Sequence, residues 1–208
     1  MAINFEKLKE KYNKLTEDKA EKNSDFLNKF LQLDMGTTMV RILPWRDDSH
    51  EFYAETKIHR LPWSKGDLEG KASNVHCLKP VGGKCPLCDY YYALWKNPTE
   101  ENKSIARKIK PRERYYMNVL VRDTGDVKIL SVGQKLFGTV VNSVLDPDYG
   151  DITSLKEGND FKVIKDTMKG SNGQEFPNYD KSAPRPKKSA VAETKKAVDN
   201  VMAELHDI

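Results

Sequence analysis

The stretch HCLKPVGGKCPLC, residues 76–88, with His59 upstream, restricts what this chain can become more than any other segment. Three thiols and an imidazole at these separations can close a tetrahedral Cys₃His site, a donor set that binds zinc. Four protein donors leave no position open for water, whereas a catalytic zinc keeps one, so a single structural Zn²⁺ is expected. The knuckle Cys85-Pro86-Leu87-Cys88 is the strongest part of the signal. Two intervening residues let both thiolates face one ion while the N–H groups of the turn point at the sulfurs, and Lys84 adds positive potential that favours deprotonation. The fourth donor is His59 or His76. His59 lies in a strand-like run, FYAETKIHRL, from which it can reach the knuckle. His76 adjoins Cys77, and neighbouring side chains of an extended segment point to opposite faces, which favours His59.

Two other uses of these cysteines fit less well. A thioredoxin-like pair would also read Cys-x-x-Cys, but a third cysteine lies close by and no strand–helix alternation surrounds it. A structural disulfide needs an oxidising compartment. The cysteines number three, and MAINFEKLKEKYNKL contains no apolar run able to direct secretion, so a reducing compartment is expected.

The 208 residues are 38% apolar and 32% charged, which suits a soluble domain with a modest core, and no run approaches a membrane span. The net charge of +4 alone announces no partner. Its distribution says more. Lys103, Arg107, Lys108, Lys110, Arg112 and Arg114 stand against one acid, Glu113, and lead directly into Tyr115 and Tyr116. A charge run is commonly a solvated face, but this one ends in aromatics.

Residues 1–23 carry Phe5, Leu8, Tyr12 and Leu15 at helical spacing and read as an N-terminal amphipathic helix. The core is expected over 24–181. FLQL and TMVRILP read as paired strands around Met35-Gly36, and the zinc subdomain spans about 53–97, with DYYYALWK a short helix closed by Asn97-Pro98. A polar stretch then leads into the hairpin YYMNVLVR/VKILSV, a helix over QKLFGTVVNSVL, and a last hairpin of DFKVIKDTM and EFPNYDKS. Residues 182–208 read as a Pro/Lys linker, APRPKKS, and a C-terminal amphipathic helix marked by Val191, Thr194, Val198, Val201 and Leu205. The expected class is α+β, mainly β: an antiparallel barrel of the oligonucleotide-binding (OB) type, with an inserted zinc subdomain and amphipathic helices at both termini.

Binding a single strand without reading its sequence takes cations for phosphates and flat side chains for bases. The run 107–114 supplies the cations. Tyr115, Tyr116, Tyr90, Tyr91, Tyr92, Trp95, Phe176 and Tyr179 are candidate platforms. Alternation on a strand leaves one of Tyr115 and Tyr116 buried and the other exposed, a helix buries one or two of Tyr90–Tyr92, and Phe137 belongs to a core with Val140, Val141 and Val144.

In this order, MVRILP, His59, Cys77, CPLCDY, the basic run before RYYMNVLV, GQKLF, and GNDFKVIK followed by FPNYD resemble the single-stranded-DNA-binding, helix-destabilising proteins of T-even-like bacteriophages. The resemblance covers roughly residues 30–181. It implies an OB fold with a zinc subdomain held by His59, Cys77, Cys85 and Cys88. It also places Arg41, the basic residues Arg107, Lys108, Lys110, Arg112 and Arg114, and Tyr115, Tyr116, Phe176 and Tyr179 in a DNA cleft. The implied activity is non-enzymatic coating of exposed strands during DNA replication, recombination and repair in the cytoplasm of an infected host, with self-association and phage replication or recombination proteins as further partners. The sequence departs from the family in three places. MAINFEKLKEKYNKL stands where the family has a short basic motif with Ser/Thr, the last ten residues hold only Asp199, Glu204 and Asp207 in place of a long acidic tail, and VKILSV lacks aromatics.

Two other classes compete. A zinc nuclease or nucleic-acid deaminase needs a water-bearing metal and a general base, and the deaminase signature His-x-Glu is missing from the sequence. A zinc-ribbon adaptor would use its terminal helices to hold proteins and would ignore DNA.

Overall fold

The computed structural model describes Glu6, Lys9 and residues 25–47, 49–62, 72–170 and 173–208. The helix expected over residues 1–23 lies outside the described residues, apart from Glu6 and Lys9. Among the described residues, eight strands form one mostly antiparallel system: β1 (Gly36–Ile42), β2 (Tyr53–Pro62), β3 (Ala72–His76), β4 (Arg112–Val121), β5 (Val127–Val132), β6 (Gly158–Lys169), β7 (Glu175–Asn178) and β8 (Ala183–Ser189). The helices are α1 (Pro86–Lys96), α2 (Glu100–Ile109), α3 (Gln134–Leu145) and α4 (Lys195–Ala203). The chain is therefore α+β and mainly β, as its pattern predicts.

The strand order is β3-β2-β4-β1-β6-β7, with β5 added to β4 and β8 to β6. Period-2 alternation turns one face of these strands inward. Val40 and Ile42 of β1, Tyr115, Met117 and Val119 of β4, Leu130 and Val132 of β5, and Phe161 and Val163 of β6 share one core cluster with Leu136 and Val140 of α3. Tyr53 of β2 and Tyr179, just past β7, pack against that cluster from the two flanks of the pairing path, so the sheet curls around it with α3 packed into the opening, as in a partly open barrel. The β4–β5 hairpin turns on Gly125, whose φ of 78° suits a residue without Cβ. As expected, Phe137 packs against this core.

Three local expectations are corrected. FLQL does not pair with β1. Phe30 instead bridges Ile129 in parallel, and Leu31 N–H donates to the Ile129 carbonyl, so this segment covers the free edge of β5 while β1 is occupied by β4 and β6. The polar stretch after Pro98 is α2. Its signals were all present: Thr99 caps the N-terminus by accepting from Asn102 N–H, Glu100 and Glu101 occupy the first turn, and Arg107 and Lys108 the last. APRPKKS is not a linker but β8, an edge strand on β6, where proline is tolerated because one side of the strand has no partner to receive an N–H.

Residues 190–208 are likewise anchored to the fold, by two buried side chains. Val191 and Leu205 bury against Leu43, Leu120 and Val127. Asn118 holds the end of the chain through two hydrogen bonds, donating to the His206 carbonyl and accepting from His206 N–H. Beneath this segment, Asp160 accepts from both Arg41 and Arg122, at 3.0 and 2.9 Å. Arg122 also donates to the Val191 and Ala190 carbonyls. Two guanidiniums around one carboxylate are tolerated only while the carboxylate remains. Asp160→Ala is expected to lower the unfolding free energy by about 3 kcal/mol, read as a shifted urea midpoint at unchanged slope.

Candidate metal centre and nucleic-acid cleft

The antiparallel pairing of β2 with β3 sets Ile58 opposite His76 and delivers Cys77 to the end of the β2 ladder, where its N–H donates to the Lys57 carbonyl. Pro86 starts α1, the position where a helix tolerates a missing N–H, so Cys85 caps the helix and Cys88 lies in its first turn. His59, Cys77, Cys85 and Cys88 are all buried, and their donor atoms lie within 4.8 Å of one another. His59 Nε2 is 3.5 Å from both Cys85 Sγ and Cys88 Sγ, and Cys77 Sγ is 3.5 Å from Cys88 Sγ. A tetrahedral ion with zinc's bond lengths would set its sulfurs roughly 3.8 Å apart and its nitrogen roughly 3.6 Å from each sulfur, so the donors fit one metal ion. His76 is exposed and faces Thr56 Oγ1, outside the cluster.

His59 Nδ1–H donates to the Ile109 carbonyl at 2.8 Å, which fixes the tautomer and aims the Nε2 lone pair at the thiols. Burial pushes the Cys85 thiol up, but the N–H groups of Cys88 and Leu78 and the neighbouring thiols outweigh it and bring it down to about 6. Burial and the same crowding push Cys88 up to about 12. Without a cation, the crowded thiols therefore hold on to at least one proton at neutral pH.

Beside this centre lies a cleft of about 760 Å³. Lys57, Lys110, Arg112 and Arg114 line it from the metal side, Gly133 to Leu136 at the start of α3 line its floor, and Met168 and residues 176–180 form the opposite wall. Five cations, counting Lys135, face two acids, Glu113 and Asp180, a net of +3. Glu113 pairs with Lys57 and Asp180 with Lys135. Lys110, Arg112 and Arg114 have no ion-pair partner among the described residues. Gly133 caps α3 without a side-chain acceptor, so the positive end of that helix also opens on the cleft. Tyr179 sits where burial raises its phenol and the charge of Arg114 pulls it the other way, so the basic and aromatic walls converge there.

Of the DNA-binding residues expected from sequence, Lys110, Arg112, Arg114, Phe176 and Tyr179 line this cleft. Tyr116 shares its strand face with Arg112 and Arg114, sits opposite the cleft-lining Ser131, and meets Phe30 edge-on. Arg107 and Lys108 are exposed on α2, and Trp95 is 40% exposed on α1; none of them lines the cleft.

Two assignments are corrected. Arg41 has no accessible surface. Its guanidinium is used up by Asp160, Ser154 and Ser189, in a space kept open by Gly158, where a Cβ would come within 2.8 Å of Arg41 Nη1. Tyr115 points inward and stacks on Phe137 at 3.8 Å, so its ring face is closed to a base. Lys57, Gln134, Lys135 and Met168 were missed, because strand register and helix placement, rather than any local motif, bring them to the cleft.

A family model described as gp32 DNA binding protein like matches residues 34–208. The chain belongs to the gp32-like DNA-binding family. A search of curated proteins finds no match. The gp32-like match begins just before β1 and runs through β8 and α4, so it includes the metal centre, the cleft and the C-terminal segment. Because the crowded thiols hold at least one proton at pH 7 until a cation arrives, loading one metal ion is expected to release at least one proton. Calorimetry in buffers of different ionisation enthalpy reads that proton, and affinity is expected to rise with pH.

Proposed function

We propose that this gp32-like protein coats single-stranded DNA, largely without regard to sequence, and that one structural zinc completes its metal centre. The observation carrying this reading is the cleft, whose lining brings together three cations with no ion-pair partner among the described residues and the rings of Phe176 and Tyr179. Phosphates gain from the cations and unpaired bases from the rings, a combination offered by exposed strands and withheld by a stacked duplex. Preference for the single-stranded form then draws a duplex open by mass action. The reading is non-enzymatic: four protein donors would fill a tetrahedral sphere and leave no site for an attacking water. The setting that fits is phage DNA replication, recombination and repair in the cytoplasm of an infected bacterium, with further copies of the chain and phage replication or recombination proteins as partners.

The test is a fluorescence titration with oligothymidine across a salt series. Lys110, Arg112 and Arg114 are expected to yield a log–log slope near −2, from about 0.7 per neutralised phosphate on a single strand. Arg112→Ala and Arg114→Ala are each expected to make the slope shallower by about 0.7. Phe176→Ala or Tyr179→Ala is expected to cost about 1–3 kcal/mol of binding with the slope unchanged. A salt-independent affinity would overturn the reading.

A further inference from the structure

The β2–β4 ladder pairs Tyr53 with Met117 and continues through Ile58 and Arg112. One step further, His59 stands opposite Pro111, which has no N–H to donate, and there the ladder ends. Past that break, the buried His59 side chain reaches the Ile109 carbonyl at 2.8 Å, at the last turn of α2, where helix carbonyls lack intrahelical partners. The two residues between this bond and the ladder are Lys110 and Pro111, and both line the cleft along with Arg112. Lys57, on the same wall, offers its carbonyl to Cys77 N–H. Arg114 lies further along β4, inside the ladder, and Phe176 and Tyr179 lie on and just after β7, so none of the three belongs to the segment between this bond and the ladder.

We propose that His59 is a positioning residue for nucleic-acid binding. With Nε2 engaged at the metal, its Nδ1–H clamps the Ile109 carbonyl and holds Lys110 and Arg112 at the rim of the cleft. The metal centre then does more than staple a subdomain, because it sets the phosphate-binding wall while leaving the aromatic wall alone. A free imidazole could turn about χ2 or change tautomer, and either movement would release the carbonyl. Coordination removes both freedoms.

The inference rests on the proposed function, and His59→Cys separates the two. A fourth thiolate keeps a closed zinc site while removing the N–H. His59→Asp is the second such variant, and whichever loads one zinc per chain is used. In that variant the salt slope for oligothymidine is expected to be shallower than wild type by about 0.7 to 1.4, the share of one to two cations. Amide exchange across 107–112 is expected to quicken while that of 117–121 stays unchanged. Lys110→Ala, which flattens the slope in the wild-type background, is expected to add little in the variant, the coupling a double-mutant cycle detects. A zinc-loaded variant with wild-type slope, wild-type exchange and a full additional loss from Lys110→Ala overturns the clamp and leaves the proposed function intact. A wild-type protein that fails to bind oligothymidine overturns both.

Discussion

Four donor side chains buried within 4.8 Å of one another are the constraint on which the rest of this structure depends. They come from β2, from the residue after β3 and from the first turn of α1, segments that share little apolar surface beyond Leu87 around the cysteines. The subdomain's apolar cluster of Leu94, Ala106 and Ile109 ties its two helices to Leu61 of β2 but does not include the segment that carries Cys77, so the donor set is what joins that segment to the knuckle. Crowding three thiols favours a cation over neutral burial, because deprotonating one raises the cost of deprotonating the next. The opposed directions at Cys85 and Cys88 express that cost.

The cleft inherits its two walls from different sources of stability. Residues 110–114 follow directly on α2, whose small core of Leu94, Ala106 and Ile109 belongs to the metal subdomain. Phe176 and Tyr179 stand on and just after β7, tied to the main barrel through β6. Lys181 and Asp166 brace that hairpin, and their hydrogen bond holds the lysine above its ordinary range and the carboxylate below it. The proposed DNA path thus crosses a seam between a metal-organised unit and a hydrophobically organised one.

A second polar arrangement fastens the end of the chain. Arg41 is pulled down by burial and supported chiefly by Asp160, which also receives Arg122. Arg41 reaches Ser189, and Arg122 reaches the carbonyls that follow it. These bonds fasten β8 and the segment after it to β1 and β4, and removing either attachment would leave guanidinium donors without their acceptors. Two basic residues that contribute to an electropositive sequence are therefore spent inside the fold and lend nothing to a nucleic-acid surface.

Much of this was legible in the chain. Cysteine spacing picked out the three thiols, with His59 or His76 as the fourth donor, since ligand chemistry needs particular residues at particular intervals, and apolar runs bounded by turn residues located the main strands. The order of motifs along the chain also points to the family. What local pattern missed was whatever depended on partners distant in sequence. Arg41 and Arg112 are the same residue type on strands of similar pattern, yet one meets Asp160, 119 residues away, and the other meets solvent. Tyr115 and Tyr116 differ by one step of the pleat, and register alone turns one onto Phe137 and the other toward the cleft side. APRPKKS has linker composition and becomes a strand because β6 offers it an edge. The sequence by itself determined which chemical groups the protein owns and that three thiols and one of two histidines can share a metal, and the fold chose His59. Tertiary structure decided which cations stay free to meet a ligand, because burial and pairing are properties of neighbours that a linear pattern does not contain.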